Sequence, residues 1–247
     1  MTRIISIINH KGGVGKTSST IAIGASLNLH KKKVLLIDLD AQANLTQSLG
    51  FNETEKSIYG ALKGQYALPT YEKKKGFDIV PSTLDLTAAE IELSSEAGRE
   101  FLLKELIAPI KNNYDYILID CPPALGLLTL NALTASTDII IPVESQYLAL
   151  QGMAKLMDIV NKVQSRLNKD LKIMGILVTK YEVRQTLDRN IVEVINNTFG
   201  DKVFKTYIRK NIAIAEAPTQ GVDIFEYNDN SSGAEDYKKI TKEIMKL

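Results

Sequence analysis

Ile4-Ile5-Ser6-Ile7-Ile8-Asn9-His10-Lys11-Gly12-Gly13-Val14-Gly15-Lys16-Thr17 is the stretch on which the fold of this chain turns. Residues 4–8 form a short run that is almost wholly apolar, glycines crowd positions 12–15, and a helical pattern follows through Ile21, Ile23, Ala25 and Leu29. The order reads strand, phosphate loop, helix. A loop that ends Gly-Lys-Thr needs its glycines because backbone amides must turn inward around phosphate oxygens, a conformation that side chains would obstruct. Gly12, Gly13 and Gly15 supply that freedom, with Val14 between them. Lys16 can bridge the β- and γ-phosphates as a point charge. Thr17 can offer its hydroxyl to Mg²⁺, and the helix that begins there points its positive end at the anion, with Ser18 beside it in the nucleotide set. A ligand-free glycine turn is the alternative; the apolar strand before it and the helix after it favour the nucleotide.

Working outward, residues 34–37 are fully apolar and end in Asp38-Leu39-Asp40, residues 116–119 end in Asp120, residues 139–141 end in Pro142, and residues 173–178 make another buried run. Runs apolar on both faces and separated by helical stretches mark a parallel sheet covered on two sides. The expectation is an α/β, doubly wound, mostly parallel sheet with helices on both faces, the P-loop NTPase arrangement. Ser82 with Asp85 has the spacing of a capping box opening a helix over 84–96, and 148–167 reads as a long amphipathic helix. The segment 52–75 is the most loop-like.

A chain of 247 residues can bury one sizeable core, and with no low-complexity break it reads as a single domain over 1–247. Hydrophobic residues at 45% and charged residues at 24% exclude disorder as the default. The one cysteine, Cys121, excludes an internal disulfide, a structural zinc set or an iron–sulfur cluster within one chain, and it reads as a small buried residue. No stretch approaches the roughly 20 apolar residues of a membrane span and no signal-peptide pattern precedes the first strand, so the expected location is a reducing cytoplasm. Net charge of +1 decides nothing about nucleic acid, since a basic stripe can sit on a nearly neutral protein.

The motif Lys11-Gly12-Gly13-Val14-Gly15-Lys16-Thr17 carries a second lysine one residue ahead of its first glycine, and it resembles the deviant Walker A motif of the ParA/MinD family. Asp38-Leu39-Asp40-Ala41-Gln42-Ala43-Asn44 resembles that family's switch I, and Asp120-Cys121-Pro122-Pro123 its Walker B strand and switch II turn. Arg209-Lys210-Asn211, with Ala215-Glu216-Ala217-Pro218 and Gly221, resembles the C-terminal signature of the ParA/Soj branch, so that the likeness covers nearly the whole chain. It implies an ATPase with ATP and Mg²⁺ as cofactors. Lys11, Lys16 and Asp40 would be catalytic, with Lys11 crossing the interface of an ATP-bound homodimer to the partner's nucleotide. Asp40 would orient the attacking water with Asp38 in support; the alternative for either is a cap for a helix that starts near Asn44. Thr17, Asp40 and Asp120 would hold the metal, and adenine would lie near Arg209 and Asn211. Thr179-Lys180-Tyr181-Glu182 stands where guanine-specific proteins carry Asn-Lys-x-Asp, which also argues for adenine. His10 and His30 are given no catalytic part.

The same resemblance implies nonspecific DNA binding by the dimer, with Arg184, Arg189, Arg209 and Lys210 as candidates for phosphate contact; many relatives carry arginine where Ala213 stands. Because the first strand begins by about the third residue there is no room ahead of it for a helix-turn-helix module, so a separate ParB-like centromere-binding adaptor is expected, and the location is nucleoid-associated. The leading reading is a chromosome or plasmid partition switch assembled by ATP and released by partner-stimulated hydrolysis. A MinD-like membrane-cycling regulator is an alternative, because Tyr237, Ile240, Ile244 and Leu247 form an apolar stripe among lysines. The stripe is expected to pack on the core, so no membrane is expected. A ParA-like positioner of protein cargo is a further alternative.

Overall fold

The computed structural model describes residues 1–145 and 149–247, with the side chains of 149–151 outside that description. In chain order the elements are β1 (Arg3–Ile7), α1 (Lys16–Leu29), β2 (Val34–Asp38), α2 (Asn44–Ser48), α3 (Ile58–Leu62), β3 (Tyr71–Lys74), β4 (Phe77–Val80), α4 (Ala89–Glu92), α5 (Leu102–Ile107), β5 (Tyr116–Asp120), α6 (Leu127–Ala135), β6 (Asp138–Glu144), α7 (Ala149–Arg166), β7 (Lys172–Thr179), α8 (Thr186–Phe199), α9 (Ile212–Glu216), α10 (Ile224–Asn228) and α11 (Ser232–Ile244). The seven strands form one sheet in the order β3-β4-β2-β5-β1-β6-β7. All pairings are parallel except β3 with β4. The chain leaves β1 toward β2 on one side and later returns to place β6 on the other, so the loop after β1 lies at the point where the winding reverses. In open α/β sheets that crevice, at the carboxyl ends of the strands, is where ligands bind.

The expected doubly wound sheet is what the apolar runs produce. Every run read as a strand is one, with ends displaced by at most a few residues, because flanking polar residues such as Asp38, Asp120 and Glu144 still join the ladder. The hairpin of β3 and β4 is the exception, since it lies in and beside the segment expected to be loop. β3 (Tyr-Glu-Lys-Lys) is an antiparallel edge strand whose lysines blunt the exposed edge, so it carries no apolar run to read. Its lysines tie other parts together. Lys73 Nζ donates to the carbonyls of Leu49 and Gly221, both at 2.9 Å, and Lys74 Nζ donates to Asp223 Oδ2 at 2.7 Å.

The expected capping box at Ser82 does not form. Thr83 occupies the N-cap, no side chain caps the turn, and residues 84–95 break into a 3₁₀ turn, the short α4 and a second 3₁₀ turn. The reason is that the Ser82 N–H is given to Thr46 Oγ1 at 2.9 Å, and its hydroxyl is buried without a partner. The long helix expected over 148–167 is found as α7 for its described part, while Leu148 lies outside the described residues.

Two apolar layers cover the faces of the sheet. On one face α1 is nearly submerged, with Ile23, Ala25 and Leu27 fully buried. It lies so close to the strands that a Cβ on Gly24 would stand 2.6 Å from Leu36 Cδ2, so glycine is required there by the approach of the backbone. α11 covers α1 in turn and buries Tyr237, Ile240 and Ile244. Three of the four apolar residues of the C-terminal stripe are thus spent on the core, while Leu247 is exposed. No helix among the described residues is long and apolar enough to cross a membrane. Truncating Ile240→Ala should therefore lower the unfolding free energy by about 2–5 kcal/mol in a urea titration. An unchanged midpoint would show that the tail does not hold to α1.

Candidate active site

The site is built where β1, β2 and β5 end side by side. Parallel registry places Asp120 opposite both Ile7 and Asp38, which sets two carboxylates at one level on neighbouring strands. Both are buried, Asp38 wholly and Asp120 almost so. Burial pushes the Asp38 carboxyl up to about 6, against the hydrogen bonds it accepts from Thr46 and Asp40. Burial also lifts Asp120 well above the usual carboxylate range, and the neighbouring Asp38 charge adds to the rise while the Thr17 hydrogen bond opposes it.

The loop after β1 wraps over these acids. Asn9 Nδ2 donates to Pro142 O at 2.7 Å and its Oδ1 accepts from Lys11 N at 3.0 Å, which anchors the loop's first turn to β6. Gly13 and Gly15 adopt φ of 76° and 87°, left-handed positions that favour glycine. Lys16 Nζ reaches back to Lys11 O at 3.2 Å. Its ammonium is held low by burial, with the Asp120 charge opposing. Thr17 Oγ1 donates to Asp120 Oδ2 at 2.7 Å, while the Thr20 hydroxyl, 3.5 Å from Asp120 Oδ1, gives its proton to Lys16 O at 3.0 Å.

Asp40 stands two residues past the strand end, half-buried at the rim, where its Oδ1 accepts from Gln42 N at 3.0 Å. Asp38 does different work: its Oδ2 accepts from Thr46 N at 2.9 Å and Thr46 Oγ1 at 2.6 Å, so it holds the first turn of α2. That is the capping alternative, used from inside the sheet. Thr17, Asp120 and Asp40 offer only hard oxygen donors, a set that suits a small divalent cation such as Mg²⁺. Two acids shifted upward by burial, with one lysine beside them, are also what such a cation would relieve.

A cleft of about 500 Å³ adjoins the loop, lined by Gly15, Ser18, Thr179, Lys180, Arg209 and Asn211 among others. Thr179 Oγ1 donates to Val14 O at 2.8 Å and pins the loop to the end of β7. Asn211 caps α9 through Ala213 N at 3.0 Å.

A family model described as an AAA domain matches residues 2–173. The chain is 43% identical over 249 residues to the sporulation initiation inhibitor protein Soj of Bacillus subtilis, covering 99% of this chain and 98% of that one. It is 41% identical to the chromosome-partitioning ATPase Soj of Treponema pallidum, covering 99% and 98%. The chain belongs to the ParA/Soj family of P-loop ATPases. Among solved structures, a Mycobacterium smegmatis protein described as cobyrinic acid a,c-diamide synthase, with bound ATP analog and magnesium, matches with a TM-score of 0.89 and 33% identity over 100% of this chain and 95% of that one.

For a ParA/Soj chain, several residues of the site escaped sequence reasoning. Glu144, at the end of β6, accepts from Lys11 Nζ at 3.2 Å and pairs with Lys180 at 3.5 Å. The signal was present, because Glu144 ends an apolar strand just as Asp38 and Asp120 do. Thr46 was missed, as was the tie of Thr179 to the phosphate loop, because a threonine's partner is set by tertiary contact. Cys121 is fully buried, and burial with the Asp120 charge pushes its thiol up to about 12, consistent with a packing residue. The four basic candidates divide. Arg184, Arg189 and Lys210 are exposed, Lys210 paired with Glu182 at 2.9 Å. Arg209 instead makes a forked pair with the buried Asp236, with Nε and Nη2 each donating at 2.8 Å, and also meets Glu235 at 3.2 Å.

The carboxylate pair has a pH signature. Asp38 titrates near 6 in the fold against 3.8 as an ordinary aspartate, so the folded state holds more proton in that window. Its contribution to stability is thus greatest below the lower value and is lost as pH rises through the higher one. In EDTA-treated, nucleotide-free protein, Asp38→Asn should flatten this fall when urea midpoints are compared across the window. Parallel pH profiles for the two proteins would contradict the burial of a titrating Asp38.

Proposed function

We propose that this chain binds ATP and Mg²⁺ in the crevice between its phosphate loop and the 500 Å³ cleft, and that it works as an ATP-driven switch in chromosome or plasmid partition. The carrying observation is the full-length likeness to Soj proteins, together with a loop in which Lys11 precedes the glycines. The relative crystallised with an ATP analog and magnesium supports the choice of ligands.

Lys16 would neutralise the β- and γ-phosphates, and Thr17, Asp120 and Asp40 would hold a divalent cation beside them. The base lies against the cleft wall near Arg209 and Asn211, where Arg209 acts by shaping the wall through Asp236. Asp40, at the rim, accepts from Gln42 N through its Oδ1, which leaves its Oδ2 to orient a water. Magnesium supplies charge neutralisation on the phosphates; the lysines supply the rest.

Lys11 couples chemistry to assembly. Within one protomer its ammonium is matched by Glu144. Joining a second ATP-bound copy would exchange that carboxylate for the partner's phosphate oxygens, one anion for another, so the cost of moving Lys11 is small. The homodimer gathers basic residues of two copies, Arg184, Arg189 and Lys210, into a surface that holds DNA phosphates without reading bases. A ParB-like adaptor then stimulates hydrolysis and release, which makes the protein nucleoid-associated while ATP lasts. The burial of the C-terminal stripe favours this over a membrane-cycling role.

Asp40→Ala should retain ATP-dependent dimerisation in light scattering while turnover falls by about 10²-fold or more. Normal turnover would remove Asp40 from the water-orienting role. In a DNA titration repeated with ADP, with ATP and without nucleotide, binding should require ATP and weaken steeply with salt. Nucleotide-independent or salt-insensitive binding would contradict the switch.

A further inference from the structure

A second cavity, of about 270 Å³, opens at the opposite edge of the sheet from the phosphate loop, where β1 and β6 begin. Ile4, Lys104, Ile107, Lys111, Thr134 and Asp170 are among the residues that line it. α5 and the turn at Lys111–Asn113 bring the two lysines, the end of α6 brings Thr134, and the link from α7 to β7 brings Asp170. Ligands of open α/β sheets gather at the carboxyl ends of the strands, and this cavity lies a strand's length away from that crevice. A depression of about 490 Å³ adjoins it through the shared Thr137 and Asp170, and adds Lys172.

One buried group in the wall lacks what it needs. Thr134 is 1% exposed, and its hydroxyl has no hydrogen-bond partner among the described residues. A hydroxyl in that position destabilises the fold unless a water or a bound group meets it. Neighbouring hydroxyls are committed elsewhere: Ser136 Oγ donates to Ala132 O at 2.8 Å, and Thr137 Oγ1 to Ile4 O at 3.0 Å.

Charge at the rim says what kind of group would enter. Lys104, Lys111 and Lys172 are exposed and make no ion pair among the described residues, and neither does Asp170. Three cations against one carboxylate leave the rim positive. Arg3 does not add to this, because it is spent on Asp138 at 3.1 Å. The carbonyls that end α6 would oppose an anion, but Asn168 Nδ2 covers them, donating to Leu133 O at 3.0 Å and to Ser136 O at 2.7 Å.

We propose that this cavity binds a small phosphate-bearing anion. The Thr134 hydroxyl donates to a phosphate oxygen, Lys104 and Lys111 match its charge, and Ile4 and Ile107 floor the space for an apolar body where the ligand has one. Inorganic phosphates and phosphate esters share this chemistry. None of these residues belongs to the nucleotide crevice, so the site stands or falls apart from the partition reading.

The test uses the whole protein carrying Lys16→Ala, in EDTA, so that the phosphate loop does not compete. Inorganic pyrophosphate and, separately, AMP are titrated by calorimetry. Binding should be seen, and it should weaken about tenfold or more when Thr134→Val or Lys104→Ser/Lys111→Ser is added. Tighter binding of AMP than of pyrophosphate would assign the site to an ester, and the reverse order to an inorganic anion. Thr134→Val removes the unpaired hydroxyl at nearly constant shape, so the urea midpoint of the ligand-free protein should hold or rise. A lowered midpoint would show that the hydroxyl is already satisfied, which overturns its part in the site. The lysine variants change exposed residues and do not depend on that result. Binding of neither probe would mean that the cavity holds water alone, and equal affinity in all three proteins would place the anion elsewhere; either overturns the proposal.

Discussion

Two buried carboxylates at adjacent strand ends, with a single half-neutralising lysine beside them, are the constraint around which this molecule is arranged. Asp38 and Asp120 face each other across the β2–β5 ladder because parallel registry leaves them no other place. Burying like charges this way costs free energy, and the protein lowers that cost with hydroxyls. Thr17 serves Asp120, and Thr46 serves Asp38. What hydroxyls cannot supply is positive charge. A divalent cation bound to phosphates at this edge would supply it, and the cost that weakens the free protein would then favour the loaded one.

The scaffold holds this edge from several directions. Asn9 and Thr179 pin the phosphate loop to β6 and β7, α1 is pressed onto the sheet at Gly24, and α11 backs α1. The edge strand β3 contributes through Lys73, which joins the end of α2 to the turn at Gly221.

Much of this was legible in the sequence for a physical reason: a strand buried on both faces must be continuously apolar, and a loop around phosphate must be rich in glycine. Those two rules place β1, β2, β5, β6 and β7, the phosphate loop, Thr17 and Asp120. The hairpin β3–β4 was not legible, because an edge strand of Tyr-Glu-Lys-Lys has no apolar signature. The capping box at Ser82 failed because Thr46, distant in sequence, claims its amide. Arg209 looked like a surface cation until the fold brought Asp236 to it. Glu144 could have been found by extending to β6 the rule already applied to Asp38 and Asp120.

The central claim is that burial raises both carboxylates and that a cation bound beside them would oppose the rise. Calorimetric titration of preformed Mg–ATP, at a pH near the Asp38 value of about 6 and in buffers of differing ionisation enthalpy, measures it directly. The account predicts net proton release from the wild type, reduced in Asp38→Asn. Binding without proton release, or release undiminished in that variant, would contradict it.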